Sequence, residues 1–162
     1  QRGADLGERL AHAFDDVLGA SGSGPPAGRH RAVVFGADCP WLDAAYLRAA
    51  FGALERVDLV LGPAHDGGYT LIGLARPCPE LFEGLAWGGA DVLSRTLERA
   101  DRLGLTRHTL GTLEDLDTPA DLVRLLVRLA IPPAVPTAGG FEAARNSRAA
   151  HTLEMFGLLP PR

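Results

Sequence analysis

Ala32-Val33-Val34-Phe35-Gly36 runs without a break into Ala37-Asp38-Cys39-Pro40. A short continuous apolar run of this kind reads as a parallel strand buried on both faces. Pro40 has no N–H to give to a ladder and ends it. The strand therefore delivers an acidic side chain, Asp38, to its C-terminal end, the edge at which open α/β sheets bind ligands.

Working outward, helices and strands alternate. Upstream, Asp5 to Leu18 places Leu6, Leu10, Ala13, Phe14 and Val17 at helical spacing, with Asp5 as N-cap and Glu8 as capping-box partner. Gly19 to Arg31 is a Gly, Ser and Pro connection. Downstream, Asp43 caps a helix through about Leu54. Asp58 to Leu61 is a short strand that stops at Gly62-Pro63, His65-Asp66-Gly67-Gly68 is a tight turn, and Tyr69 to Leu74 is a third strand. Residues 77–89 are irregular, and a helix over 90–103 stops at Gly104. Arg107 to Leu110 is a strand. Thr118, Pro119 and Asp121 suit the N-cap, N1 and N3 positions of a helix with a Leu122, Leu125, Leu126 and Leu129 stripe. Residues 131–140 are a Pro/Gly linker, and 141–162 hold a last helix to Phe156 and a tail. The alternation predicts an α/β fold with a mostly parallel sheet.

The 162 residues suffice for one domain with one core. Apolar residues make up 46%, too many for a disordered chain. Sixteen basic and twenty acidic side chains give −4, which argues against non-specific nucleic-acid or anionic-membrane binding. No apolar run is long enough to span a membrane. Cys39 and Cys78 read as two free thiols of a reducing cytoplasm. The chain has no lysine, which excludes Schiff-base chemistry and a Walker-type loop. It opens on Gln1, and its one Met is Met155, so residues before Gln1 are expected to be missing.

Four segments could carry chemistry, and each has a plainer reading. Asp38 could ligate a hard divalent cation that holds substrate phosphates, or merely cap the next turn. Asp66 could orient a hydroxyl-bearing substrate or act as a base. The flanking Gly67 and Gly68 would allow close approach of a ligand, and Tyr69 would offer a ring face and a hydroxyl. The same stretch could be an ordinary turn with Tyr69 in the core. Among Glu114, Asp115, Asp117 and Asp121 the helix dipole accounts for one or two acids. Asp115 is left over, either as a second metal ligand facing Asp38 or as solvated charge. Arg9 with Asp5 could face a nucleotide or acceptor, or belong to a simple capped helix. Trp87 reads as core or pocket wall, and His65 is the one histidine beside a candidate segment.

As an ordered set these segments resemble one family. The motifs are Gln-x-Gly-x-Asp-Leu-Gly-Glu-Arg (Gln1 to Arg9), Gly-x-Asp-Cys-Pro (Gly36 to Pro40), and Gly-Pro-Ala-x-Asp-Gly-Gly-Tyr-x-Leu-Ile-Gly-Leu (Gly62 to Leu74). Trp87 and Asp-x-Asp-Thr-Pro-x-Asp-Leu (Asp115 to Leu122) complete the set. In this the chain, over about residues 1–130, is similar to the radical-SAM/selenodomain-associated transferases, bacterial proteins assigned as glycosyltransferases of the GT-A, nucleotide-diphospho-sugar transferase fold. The resemblance implies a three-layer α/β/α sandwich that binds a nucleotide and a divalent metal, Mg²⁺ or Mn²⁺. It makes Asp38 the metal-binding acid and Asp115 a second ligand. It sets Asp66 as the catalytic acid of the acceptor or sugar side, with Gly67, Gly68, Tyr69, Trp87 and Arg9 around the substrate.

The chain also departs from that pattern. The family's opening strand and Lys-Thr-Arg phosphate loop are absent, Ala4 replaces a usual Gly, and Gly88-Gly89 replace Ser-Thr. The chain then reads as the N-terminally incomplete, C-terminal portion of such a domain, either a cut enzyme or a degenerate remnant. A half sheet would leave an open edge that a homo-oligomer contact would cover.

The leading expectation is a cytoplasmic, metal-dependent glycosyltransferase acting on a nucleotide-sugar donor and a small-molecule acceptor. Guanylyl transfer, for which related nucleotidyltransferases share the Asp-x-Asp-Thr-Pro element, is the runner-up. A non-catalytic α/β binding module is the alternative from another class.

Overall fold

The computed structural model describes residues 3–19, 30–116 and 118–130. The linker and tail expected over 131–162 lie outside them, as do Gln1, Arg2 and Asp117.

Helix α1 is Leu6–Leu18, β1 Ala32–Phe35, α2 Ala44–Ala53, β2 Leu59–Pro63, β3 Tyr69–Leu74, α3 Val92–Arg102, β4 Arg107–Thr109 and α4 Pro119–Ala130. The caps follow the sequence. Asp5 accepts from Glu8 N at 2.8 Å, and the Glu8 carboxylate reaches one residue past the usual box to accept from Ala4 N at 2.7 Å. Asp43 accepts from Tyr46 N at 2.7 Å. Thr118 and Asp121 cap α4 reciprocally, with Thr118 N donating to the Asp121 carboxylate at 2.7 Å. Helix α3 is shorter than its periodicity suggests. Asp91 makes no side-chain cap there, and Leu93 N donates instead to the Gly67 carbonyl at 2.9 Å, so the hairpin turn takes over the cap's work.

The sheet order is β1-β3-β2-β4. The expectation of a mostly parallel sheet is corrected. β3 is antiparallel to both β1 and β2, and only β2 and β4 pair in parallel. The reason is covalent. The 64–68 turn is far too short for the crossover that parallel neighbours need, so β3 must return beside β2. β1, β2 and β4 nonetheless point the same way, and their C-terminal ends share one rim.

Alternation along the strands feeds two cores. Leu59, Leu61, Ile72 and Leu74 face α1 and α3, meeting Leu10, Phe14, Leu18 and Ala100. Val60 and Leu71 face the other way, onto Ala50, Ala53 and Leu54 of α2. The molecule is thus a three-layer α/β/α sandwich around a mixed sheet. Each fully buried Leu here contributes about 1.5–3 kcal/mol. The stripe expected on α4 is only partly used: Leu125 is buried, whereas Leu122 is 38% exposed.

Asp58 ties the starts of β2 and β4. Its carboxylate accepts from Thr106 N at 3.1 Å, Thr106 Oγ1 at 2.8 Å and Arg76 Nε at 3.2 Å. Desolvation raises its pKa, but the Thr106 and Arg76 bonds outweigh that and hold it below the usual aspartate value. A depressed folded-state pKa means the stabilisation is complete above about pH 3.9, the unfolded value, and is lost as the pH falls through the folded one. Asp58→Ala is expected to cost about 1–2 kcal/mol near neutrality. In urea melts the gap to wild type should shrink below about pH 4; a gap that does not change with pH would contradict this.

Candidate functional site

The rim is built around Gly62-Pro63. Along β2, Gly62 pairs with Leu71 but Pro63 with Tyr69, so β3 carries one extra residue, Thr70. On the other side Leu61 pairs with Thr109, and an unbroken ladder would bring Ala64 to Thr112; it meets Leu113 instead. Both neighbours therefore bulge beside a proline that has no N–H to offer. Thr70 uses the bulge to bind the surrounding segments: its carbonyl accepts from Gly36 N at 2.9 Å, and its hydroxyl donates to the Gly62 carbonyl at 3.2 Å.

Asp38 follows β1 on this rim and is exposed. Its carboxylate folds back over Gly36, where a Cβ would stand 2.5 Å from Oδ1. Residues 110–116 run alongside. Leu116 N donates to the Asp38 carbonyl at 3.0 Å, and Cys39 Sγ lies 3.4 Å from the Glu114 carbonyl. The structure thus brings Asp38 and Asp115, 77 positions apart in sequence by subtraction of their numbers, onto adjoining segments. Both carboxylates act on Cys39: burial pushes that thiol up, and the charges of Asp115 and Asp38 push it the same way, against bonds from the Trp41 and Leu42 backbone. Cys39 is therefore a buried, protonated thiol and no nucleophile. Cys78 is likewise free and buried. Among the described residues no three His, Cys, Asp or Glu side chains gather as a metal-ligand set.

The Asp66-Gly67-Gly68 turn sits at the same edge. Asp66 Oδ1 accepts from Gly68 N at 2.8 Å, which fixes the carboxylate in an exposed position. Gly67 has φ +91°, and a Cβ there would collide with the Ala90 carbonyl. The close approach expected of a ligand is made by the chain itself.

Tyr69 and Trp87 are arranged differently from expectation. Their rings meet edge to face at 6.4 Å. The Tyr69 hydroxyl turns inward beside Thr96 and makes no hydrogen bond of normal geometry, and burial pushes its pKa up to about 12. The Trp87 indole N–H is buried against Gly7 of α1. Both therefore brace the rim from beneath and offer no polar atom to a ligand. Arg9 Nε lies 3.4 Å from the Gly3 carbonyl and steadies the chain entering α1. Beside α1 a cleft of about 480 Å³ is walled by Asp5, Glu8, His12 and Glu83. Three acids there disfavour a diphosphate, which points donor binding to the Asp38 rim.

Sequence reasoning does not single out Tyr46 or Thr70. Tyr46, on α2, donates its hydroxyl to the Gly111 carbonyl at 2.7 Å. It can do so because Gly62 has no side chain, since a Cβ there would strike the Tyr46 oxygen. The only local signal was the Gly-Pro pair, whose bulges require knowledge of both neighbouring strands.

Residues 1–89 match the model of a family described as uncharacterized proteins conserved in bacteria, DUF2064. The chain belongs to that family. The DUF2064 match includes the Asp38 strand, the Asp66 turn and Trp87, and stops short of Asp115. No curated protein matches. Among solved structures the chain is similar to the putative nucleotide-diphospho-sugar transferase from Desulfovibrio desulfuricans G20, with 33% identity and a TM-score of 0.73 over 98% of this chain. It spans 62% of that protein's length. This DUF2064 chain therefore has the nucleotide-diphospho-sugar transferase fold, and among its described residues no helix is long and apolar enough to cross a membrane.

Proposed function

We propose that this chain carries the metal- and acceptor-side part of a transferase acting on a nucleotide-diphospho-sugar. The observation that carries the reading is the bond from Leu116 N to the Asp38 carbonyl, which sets two acids side by side on the sheet rim of this fold. Two carboxylates suit Mg²⁺ or Mn²⁺, which keep several waters and are completed by substrate phosphates rather than by an all-protein cage. Asp38 and Asp115 would hold that ion. Bound there, it would supply charge neutralisation for the departing diphosphate.

Asp66 then serves the acceptor. Its carboxylate, pinned by Gly68 N, orients an acceptor hydroxyl and takes its proton. Tyr69 and Trp87 keep that turn in place from below, and Arg9 keeps the entry of α1 ordered beside them. The closer likeness to the radical-SAM/selenodomain-associated transferases favours glycosyl over guanylyl transfer. Two buried free thiols fit a cytoplasmic setting.

Calorimetry on the full gene product with Mn²⁺ and a panel of nucleotide sugars tests the reading. Mn²⁺-dependent binding of a nucleotide sugar is expected. Binding of GTP with no nucleotide sugar bound would favour guanylyl transfer, and no nucleotide binding at all would defeat both. Gly36→Ala offers a finer check. Only the flexible carboxylate of Asp38 obstructs the added methyl, so the fold should persist while Mn²⁺ affinity falls about tenfold. Unchanged affinity would mean that Asp38 does not bind from this conformation.

A further inference from the structure

We propose that Tyr46 is a positioning residue for the acidic pair: its hydrogen bond to Gly111 holds the bulged 110–116 segment in the register that brings Asp115 beside Asp38. The inference rests on the metal-site reading above and adds a residue to it. Past Thr109, β4 leaves the ladder. Leu110 N still donates to Leu61 O at 2.8 Å, but the next bond to β2 comes from Leu113 N to Pro63 O at 2.9 Å, one residue later than regular parallel pairing allows. The extra residue reverses the faces of everything that follows, Asp115 included.

A bulge leaves backbone groups without a ladder partner, and such groups need one from elsewhere. The Tyr46 hydroxyl supplies it to Gly111. Three features fix that hydroxyl in place: α2 begins at the Asp43 cap, the ring is packed against the second core, and Gly62 leaves room for the oxygen. The hydroxyl remains protonated at any working pH, since burial pushes its pKa up to about 12. Between them, Tyr46 at Gly111 and the Asp38 loop at Glu114 and Leu116 clamp both ends of the segment that carries Asp115.

The test pairs two readouts on the full gene product. Tb³⁺ luminescence excited through tryptophan reports occupancy of the acidic pair, and amide hydrogen exchange reports the order of residues 111–116. Tyr46→Phe keeps the ring and removes only the hydroxyl. It should speed exchange across 111–116 and weaken Tb³⁺ binding about five- to tenfold, the fold-change of one lost hydrogen bond. Gly62→Ala, which displaces the same oxygen from the other side, should reproduce both effects. The proposal is overturned if Tyr46→Phe binds Tb³⁺ as wild type does while Asp38→Asn does not bind. It is overturned equally if affinity falls with no change in exchange at 111–116. A wild type that does not bind Tb³⁺ defeats the metal-site reading, and this proposal with it.

Discussion

Asp38→Asn should abolish metal-dependent transfer, lowering the rate at least about 100-fold, while leaving the melting temperature close to wild type. The substitution is isosteric and the side chain is exposed, so no buried contact is lost. What is lost is the negative charge that would hold a cation against a diphosphate, and electrostatic terms of this kind commonly carry 10²–10³-fold in rate. Asp115→Asn should act in the same direction. If the two acids serve one ion, the double variant should be little worse than either single one, because removing one ligand already disables the unit. Steady-state transfer assays with the identified donor, alongside thermal melts, check this. A variant that retains wild-type rate would remove Asp38 from the chemistry.

Gly67→Ala should produce the largest loss of stability of any single methyl added on this rim. Two penalties coincide. The position has φ +91°, which a side chain adopts only with strain, and the methyl would run into the backbone carbonyl of Ala90, which has no rotamer by which to move aside. Together they should cost about 3 kcal/mol or more, lowering the melting temperature by about 10 °C. The damage should spread to α3, whose first turn is capped by the Gly67 carbonyl through Leu93 N. Gly84→Ala is a useful contrast. That residue also has positive φ, but a methyl there meets open space, so only the conformational strain of about 1 kcal/mol applies. Equal losses for the two variants would show that the Ala90 contact is not tight.

What the sequence makes legible here is local. Asp5, Asp43 and Thr118 announce their helices because capping is decided within four residues. The β1 run announces a buried strand, and Asp38 follows from it, because strand length and hydrophobicity are contained in the segment itself. Less legible was the sheet's polarity, although the shortness of the 64–68 turn already required an antiparallel β3. The period of the pattern had suggested βαβ units, and the connection length overrode it.

The site was legible in its acids and obscure in its supports. Tyr69 shows a ring and a hydroxyl in the sequence, but which way the hydroxyl points depends on α3 and Thr96 closing over it. Gly67 invites a ligand in the sequence, and the structure supplies Ala90 instead. The pairing of Asp38 with Asp115 passes through contacts such as that of Cys39 with Glu114, 75 residues away, which no local rule reaches. Tyr46 is hidden for the same reason, since its role exists only once Pro63 has forced β4 out of register.

The central claim is that Asp38 and Asp115 bind one divalent cation between them. Crystals of the full gene product grown with Mn²⁺ and a nucleoside diphosphate test it most directly, by anomalous difference density at a wavelength where Mn²⁺ scatters. The account predicts one peak at the sheet rim, within coordination distance of a carboxylate oxygen of Asp38 and one of Asp115, with diphosphate oxygens completing the shell. A diphosphate bound elsewhere, or a manganese peak that leaves Asp38 uncoordinated, would contradict it.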